Sequence, residues 1–97
     1  MAKIVLLPAA EADYQEAVAW YHARSERAAT RFEEAVERAL IQITEAPARW
    51  PLCDPRHRLH RLKRYPYSIV YRSEGGSIVV VAVAHAKRRP GYWQERQ

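Results

Sequence analysis

The sequence predicts an α+β fold in the order β-α-α-β-β-β, with an antiparallel helical hairpin packed on one face of a small, mostly antiparallel sheet. Three observations predict it. Helical periodicity fills the first half, at Tyr14, Ala17, Val18 and Tyr21 and again at Phe32, Ala35, Val36, Ala39, Leu40 and Ile43. Two β-prone runs follow in the second half, Tyr67–Arg72 and Ser77–Ala84, joined through Gly75-Gly76. The junction near Ser25 is short enough to make the two helices antiparallel neighbours. The 97 residues suit one small domain spanning 1–97, with no repeat, linker or low-complexity stretch.

Each element has its own signals. Lys3–Leu7 is a short branched-apolar run, read as a strand and ended by Pro8. Pro8 suits a first helical turn, where its missing N–H costs nothing. The first helix is expected from about Ala9 to Arg24, with Glu11, Asp13 and Glu16 near the positive end of its dipole. Trp20 falls off the centre of its apolar stripe, at the edge. Ser25 is a candidate N-cap for a second helix from about Glu26 to Ala46, stopped by Pro47. Pro47–Pro55 reads as a loop, with Trp50 a plug over the core edge. Arg58–Arg64 alternates imperfectly, with Leu59 and Arg61 pointing one way and His60 and Leu62 the other, and Tyr65-Pro66 breaks it. In the next strand Tyr67, Ile69 and Tyr71 share one face and Ser68, Val70 and Arg72 the other. Ile78–Ala84 is apolar on both faces, which argues a central strand.

Charge divides the chain. Met1–Ala46 carries five Lys/Arg against eight Asp/Glu, and Pro47–Gln97 carries eleven against three, a net of +8. Such asymmetry suggests a basic face that meets nucleic acid or an acidic protein, with solubility alone as the plainer account. The face would be built from Arg56, Arg58, Arg61, Lys63, Arg64, Lys87, Arg88 and Arg89. Cys53 is the only cysteine, so there is no intramolecular disulfide and no Cys/His zinc spacing, and a reducing compartment is implied. Met1–Ala10 lacks the apolar run of a signal peptide, and no stretch approaches a membrane span. The expected protein is cytoplasmic, without membrane partner, cofactor or metal.

Several chemistries are excluded by their motifs. There is no GxGxxG, P-loop, HExxH or GxSxG. A metal-carboxylate nuclease needs acids near the basic sheet, where only Asp54, Glu74 and Glu95 occur. A metal-free ribonuclease is more compatible. Cleavage through the RNA 2′-OH needs a base, an acid and cations for the phosphorane charge, and His57, His60, His85, Tyr92 and the arginines are the right types. His85 stands at a strand end just before Lys87–Arg89, placed for catalysis or phosphate contact, or as a hydrogen-bonding histidine at a sheet edge. His57 and His60 read as surface residues without a catalytic role, and His22 as solvent-facing. Tyr92-Trp93 can stack on a base, but such a pair more often pins a chain end to the core.

These same residues carry a resemblance. Pro66–Arg72 (PYSIVYR) and His85–Trp93 (HAKRRPGYW), with Ala12–Tyr21, Arg31-Phe32, Ala39-Leu40, Ile43 and Pro47…Trp50-Pro51, resemble the RelE/ParE toxins of bacterial type II toxin–antitoxin modules over nearly the whole chain. The resemblance implies a sheet on a helical hairpin and a cognate antitoxin, typically with a short acidic segment that folds on the toxin. It also implies one of two activities: RelE-like members cut mRNA on the ribosome, and ParE-like members poison DNA gyrase. The nuclease branch would use Arg61, Arg88, His85 and Tyr92 as catalytic residues, with Leu59 at a further basic position beside Arg58. That branch places an essential arginine where this chain has Ser68. The Arg64-Tyr65-Pro66-Tyr67 run and the His85 that precedes the last basic cluster look more like the ParE branch. The resemblance therefore implies a growth inhibitor that binds gyrase, with a ribosome-dependent mRNA endonuclease as the alternative and a degenerate, antitoxin-binding chain as a third reading. The antitoxin is expected to cover Arg56–Arg64 and Lys87–Arg89.

Overall fold

The computed structural model describes residues 3–97. Its elements are β1 (Lys3–Leu6), α1 (Pro8–His22), α2 (Glu26–Glu45), β2 (Arg58–Arg61), β3 (Tyr67–Glu74) and β4 (Ser77–His85). The order matches the expectation, with small differences in bounds. Pro8 is itself the first residue of α1, as its fixed φ and missing N–H allow. The helix ends at His22, earlier than expected, because the Arg24 and Ser25 N–H groups both turn back to the Tyr21 carbonyl. Ser25 caps α2, its hydroxyl accepting from the Ala28 N–H at 2.9 Å. The second strand stops at Arg61, short of Arg64, where the chain bends to close on β3.

The sheet order is β1-β4-β3-β2. Strand β1 runs parallel to β4, and the other two pairings are antiparallel. Strand β4 is thus internal, in agreement with its apolar composition on both faces. Gly75 and Gly76 turn the β3–β4 hairpin with φ of 53° and 82°, the pair of positive angles a type I′ turn demands. Pairing slips once: Val70 faces Ala82 and Tyr71 faces Val80, so Val81 is an extra, bulged residue on β4.

Two apolar layers result. On the helix side Phe32, Val36, Ala39 and Ile43 of α2 and Ala10 and Ala17 of α1 pack on Ile69, Tyr71, Ile78, Val80 and Leu62. Phe32 is fully buried among four tyrosines, its ring centroid 4.9 Å from Tyr21, 5.3 Å from Tyr65 and Tyr67, and 6.2 Å from Tyr14. On the opposite side Val70, Val81 and Ala82 are covered by Trp93, with Leu59, Ala84 and Tyr92 at the margin. Trp93 thus pins the last residues to the core, and Trp50 packs against the helix-side core as a plug. The Tyr71 hydroxyl donates to the Pro47 carbonyl at 2.6 Å and ties the following loop down. Among the described residues no helix is long and apolar enough to cross a membrane.

Candidate functional site

The end of the sheet where β2 stops, β3 starts and β4 stops gathers most of the predicted cations. The Ala86 N–H donates to the Pro66 carbonyl at 2.8 Å, which closes the β2–β3 bend onto the exit of β4. Lys63 and Arg64 on that bend therefore stand beside Lys87, Arg88 and Arg89, and all five are exposed. Arg61 is exposed at the end of β2. Among the described residues none of these six has a carboxylate within 4.0 Å. Arg56 and Arg58 do not join them. Arg58 lies opposite Tyr71, about 10 Å along the strand from Arg61, and its guanidinium donates to the Trp50 carbonyl at 2.6 Å. The anticipated single basic face is therefore split, with Arg58 committed to holding the Pro47–Pro55 loop.

The four residues weighed for catalysis are also divided. His85, Arg88 and Tyr92 line one cavity of about 240 Å³, together with Asp13, Glu16, Tyr67 and Lys87. Arg61 does not line it. It pairs with Ser68, and His85 pairs with Tyr67, one residue along β3, so the two project from opposite faces of the sheet. The Lys87 N–H donates to His85 Nδ1 at 3.0 Å, which makes Nδ1 an acceptor and leaves Nε2 to carry the proton of the neutral ring. The Arg88 guanidinium lies 4.0 Å over the Tyr92 ring. Burial, and then the Asp13 carboxylate, push the Tyr92 phenol above its ordinary pKa.

Sequence reasoning missed the residue at the centre of this arrangement. Its place near the start of α1 makes Asp13 look like a helix-dipole acid, yet its carboxylate faces the sheet. It accepts from the Val83 backbone N–H at 3.1 Å and from Arg96 Nη1 and Nη2 at 2.7 and 3.3 Å, with the Tyr92 hydroxyl 3.5 Å away. Arg96 Nη1 also donates to the carbonyl of bulged Val81 at 3.1 Å. The hydrogen bonds to Asp13 hold the Arg96 guanidinium pKa above its ordinary value.

Two histidines expected at the surface are buried. His57 is 2% exposed because Asp54 folds the chain around it. The Asp54 carboxylate accepts from the Arg56 and His57 N–H groups at 2.8 and 2.7 Å and from His57 Nδ1 at 2.9 Å. Nε2 of His57 then accepts from Arg72 Nη1 at 3.5 Å, and the ring meets Trp93 edge-on at 5.0 Å. His60 is buried against Trp50, with centroids 3.9 Å apart, and burial lowers its pKa. Its Nδ1 lies 3.2 Å from the Arg61 carbonyl and its Nε2 3.0 Å from Gln42 Oε1, so the neutral ring donates to one of the two oxygens, and a flipped Gln42 amide satisfies both ring nitrogens. Both rings are committed to packing. His22 is exposed. The Cys53 thiol is raised in pKa by burial and by Asp54. Among the described residues no three His, Cys, Asp or Glu side chains converge on a possible metal position.

The comparisons agree with this architecture. The family model described as the ParE toxin of the type II toxin–antitoxin system, parDE, matches residues 4–90. The chain belongs to the ParE toxin family. A solved structure titled as the chromosomal ParDE TA system from P. aeruginosa superposes with a TM-score of 0.77 at 18% identity, covering 88% of this chain and 96% of that one. At that identity the superposition speaks for the fold. No curated protein matches. Membership in the ParE family implies an antitoxin as partner.

Two predictions follow from the geometry. Asp13→Asn keeps its size but loses the charge that binds Arg96, and is expected to destabilise the protein by about 1–3 kcal/mol. In hydrogen exchange, the Val83 amide is expected to lose protection before the β3–β4 pairs do. The second concerns acid. Partial burial acts to raise the Asp54 carboxyl pKa, but the N–H donors of Arg56, His57 and Gln94 outweigh it and hold the group at about 2. A carboxylate depressed on folding contributes stability that is present above its unfolded pKa and lost as pH falls through the folded value. Denaturation midpoints should therefore drop between about pH 4 and pH 2 in wild type, and Asp54→Asn should flatten that part of the curve.

Proposed function

We propose that this ParE-family chain arrests growth by binding an essential protein target, DNA gyrase, through the cation-bearing end of its sheet, without bond chemistry of its own. The observation that carries this reading is that Arg61 and His85 project from opposite faces of the sheet, and that Arg61 does not line the cavity holding His85, Arg88 and Tyr92. RNA cleavage through the 2′-OH needs base, acid and cation around one phosphate, within hydrogen-bond reach. The cavity that holds His85, Arg88 and Tyr92 also presents Glu16 and the Arg96-paired Asp13, and carboxylates oppose a phosphodiester anion. The raised Tyr92 phenol is a poor base near neutral pH. Unpaired cations on an exposed end, by contrast, suit electrostatic recognition of an acidic protein surface.

One observation favours the mRNA endonuclease as second reading. Ser68 replaces the arginine of the nuclease branch, but Arg61 is its direct cross-strand partner, so a cation stands beside that position. The test is induction of the chain without antitoxin, with 5′-end mapping of cellular mRNA and a supercoiling assay on purified gyrase. The expected outcome is growth arrest with no new mRNA ends and inhibited gyrase. New ends at a fixed codon position would overturn the gyrase reading, and His85→Ala would then lose on the order of 10²–10⁴ in cleavage rate.

The antitoxin is proposed to neutralise the same cations with an acidic segment. Charge reversal of Arg61 and Arg88 should weaken antitoxin binding at low salt, with the difference shrinking as salt rises. Unchanged affinity in titrations at low ionic strength would move the antitoxin site elsewhere.

A further inference from the structure

Trp20 is the one residue of α1 whose large apolar side chain is left outside both cores. It is 50% exposed. A single exposed aromatic on a helix is ordinary, but three features set this one apart.

The first is its fixed geometry. The Arg24 guanidinium lies 3.3 Å from the indole centroid, and its Nη1 donates to Trp20's own carbonyl at 3.1 Å. The i, i+4 spacing across the C-terminal end of α1 thus holds a cation over the ring. The indole also meets Tyr21 edge-on at 4.9 Å. The ring is oriented before any partner arrives.

The second is its position. Tyr21 touches Tyr65 at 5.5 Å and Tyr67 at 6.4 Å, and Tyr67 meets His85 at 4.9 Å. Tyr65 follows Lys63-Arg64, and His85 precedes Lys87–Arg89. A continuous run of aromatic contacts therefore joins Trp20 to the end of the sheet that carries the unpaired cations. The third is charge: Arg24 adds a cation on the same side, and it too has no carboxylate within 4.0 Å among the described residues.

We infer that Trp20, held by Arg24, is the aromatic anchor of the target-binding surface, and that the partner is a protein face with an apolar pocket set among acidic side chains. This rests on the reading that the chain acts by binding through its cation-bearing end. Interfaces draw most of their binding from a few central aromatic and arginine side chains, surrounded by charges that steer and orient. Cations alone would give a diffuse, salt-sensitive attraction. A pre-oriented indole beside them supplies the desolvated contact that makes the attraction specific. Pre-ordering by Arg24 lowers the entropy lost on docking.

The test expresses wild type, Trp20→Ala and Trp20→Gln without antitoxin, at soluble levels matched by immunoblot. Folding of each variant is verified by circular dichroism and by binding of the antitoxin. The expected result is arrest by wild type and continued growth with both variants. With purified components, Trp20→Ala should need about tenfold or more protein for half-maximal inhibition of gyrase, and Arg24→Ala should need a smaller excess. Folded Trp20 variants that arrest growth like wild type would overturn the inference. Loss of arrest in the variants, with gyrase untouched even by wild type, would keep this surface and reject gyrase as the target. A wild type that does not arrest growth would remove both readings. Anisotropy of a labelled 20-base-pair duplex supplies the remaining arm: DNA binding that Trp20→Ala abolishes would assign the surface to nucleic acid and overturn the protein partner.

Discussion

The fold turns on how the outer edge of β4 is closed beyond Val80. Strand β1 covers that edge only from Ser77 to Val80, and the Leu7 N–H makes the last contact, to the Val80 carbonyl. Past that point the strand continues to His85 with no strand on that side among the described residues. Backbone polar groups left open beside a core are costly, and open strand edges invite wrong pairing. Asp13 closes the gap from the helix side by accepting from the Val83 N–H, and Arg96 closes it from the end of the chain by donating to the Val81 carbonyl. Their ion pair then locks the two closures to each other.

From that closure follows the placement of everything else at this end. Arg96 draws the last residues across the face opposite the helices, where Trp93 covers Val70, Val81 and Ala82. Trp93 in turn gives His57 an apolar wall, and Gln94 reaches the Asp54 carboxylate that holds His57. Tyr92 is set over the cavity between two guanidiniums, Arg88 at 4.0 Å and Arg96 at 4.9 Å from its ring. The direction in which Arg88 presents its charge is thus tied, through Tyr92 and Arg96, to a carboxylate on α1. The bulge at Val81 fits the same logic, since an extra residue frees a carbonyl for Arg96 to use.

Local signals in the sequence were enough for the elements and the fold class. Ser25, Pro8, Pro47 and Gly75-Gly76 act on their immediate neighbours, and period-2 and period-3.6 patterns are local by nature. Even the imperfect alternation of β2 reads true, with His60 and Leu62 on the helix side and Leu59 on the other. What stayed illegible depends on residues far apart in the chain. Asp13 meets Val83 across seventy positions and Arg96 across eighty-three, and an acid near a helix start looks the same whether it faces water or a strand edge. His57 and His60 sit in a run of arginines, so composition argues exposure; Asp54, Gln42 and Trp50 bury them by contacts that composition does not encode. The split of Arg61 from His85 is a matter of register, one residue on β3, and a one-residue difference in a strand is a change of face.

That split also bears on what the cation-bearing end of the sheet can do. A sheet end with cations on both faces attracts polyanions or acidic proteins whichever face is used. Chemistry is more demanding, because a proton carrier and a phosphate-binding cation must meet on the same face. Here Ser68 and Arg61 share one face while His85 and Tyr67 share the other, and the acids Asp13 and Glu16 occupy the His85 side. Asp13 cannot be given up to a phosphate without reopening the edge of β4 and releasing Arg96. The residue that closes the fold at this point therefore also lines the cavity that holds His85, and both roles hang on its pairing with Arg96.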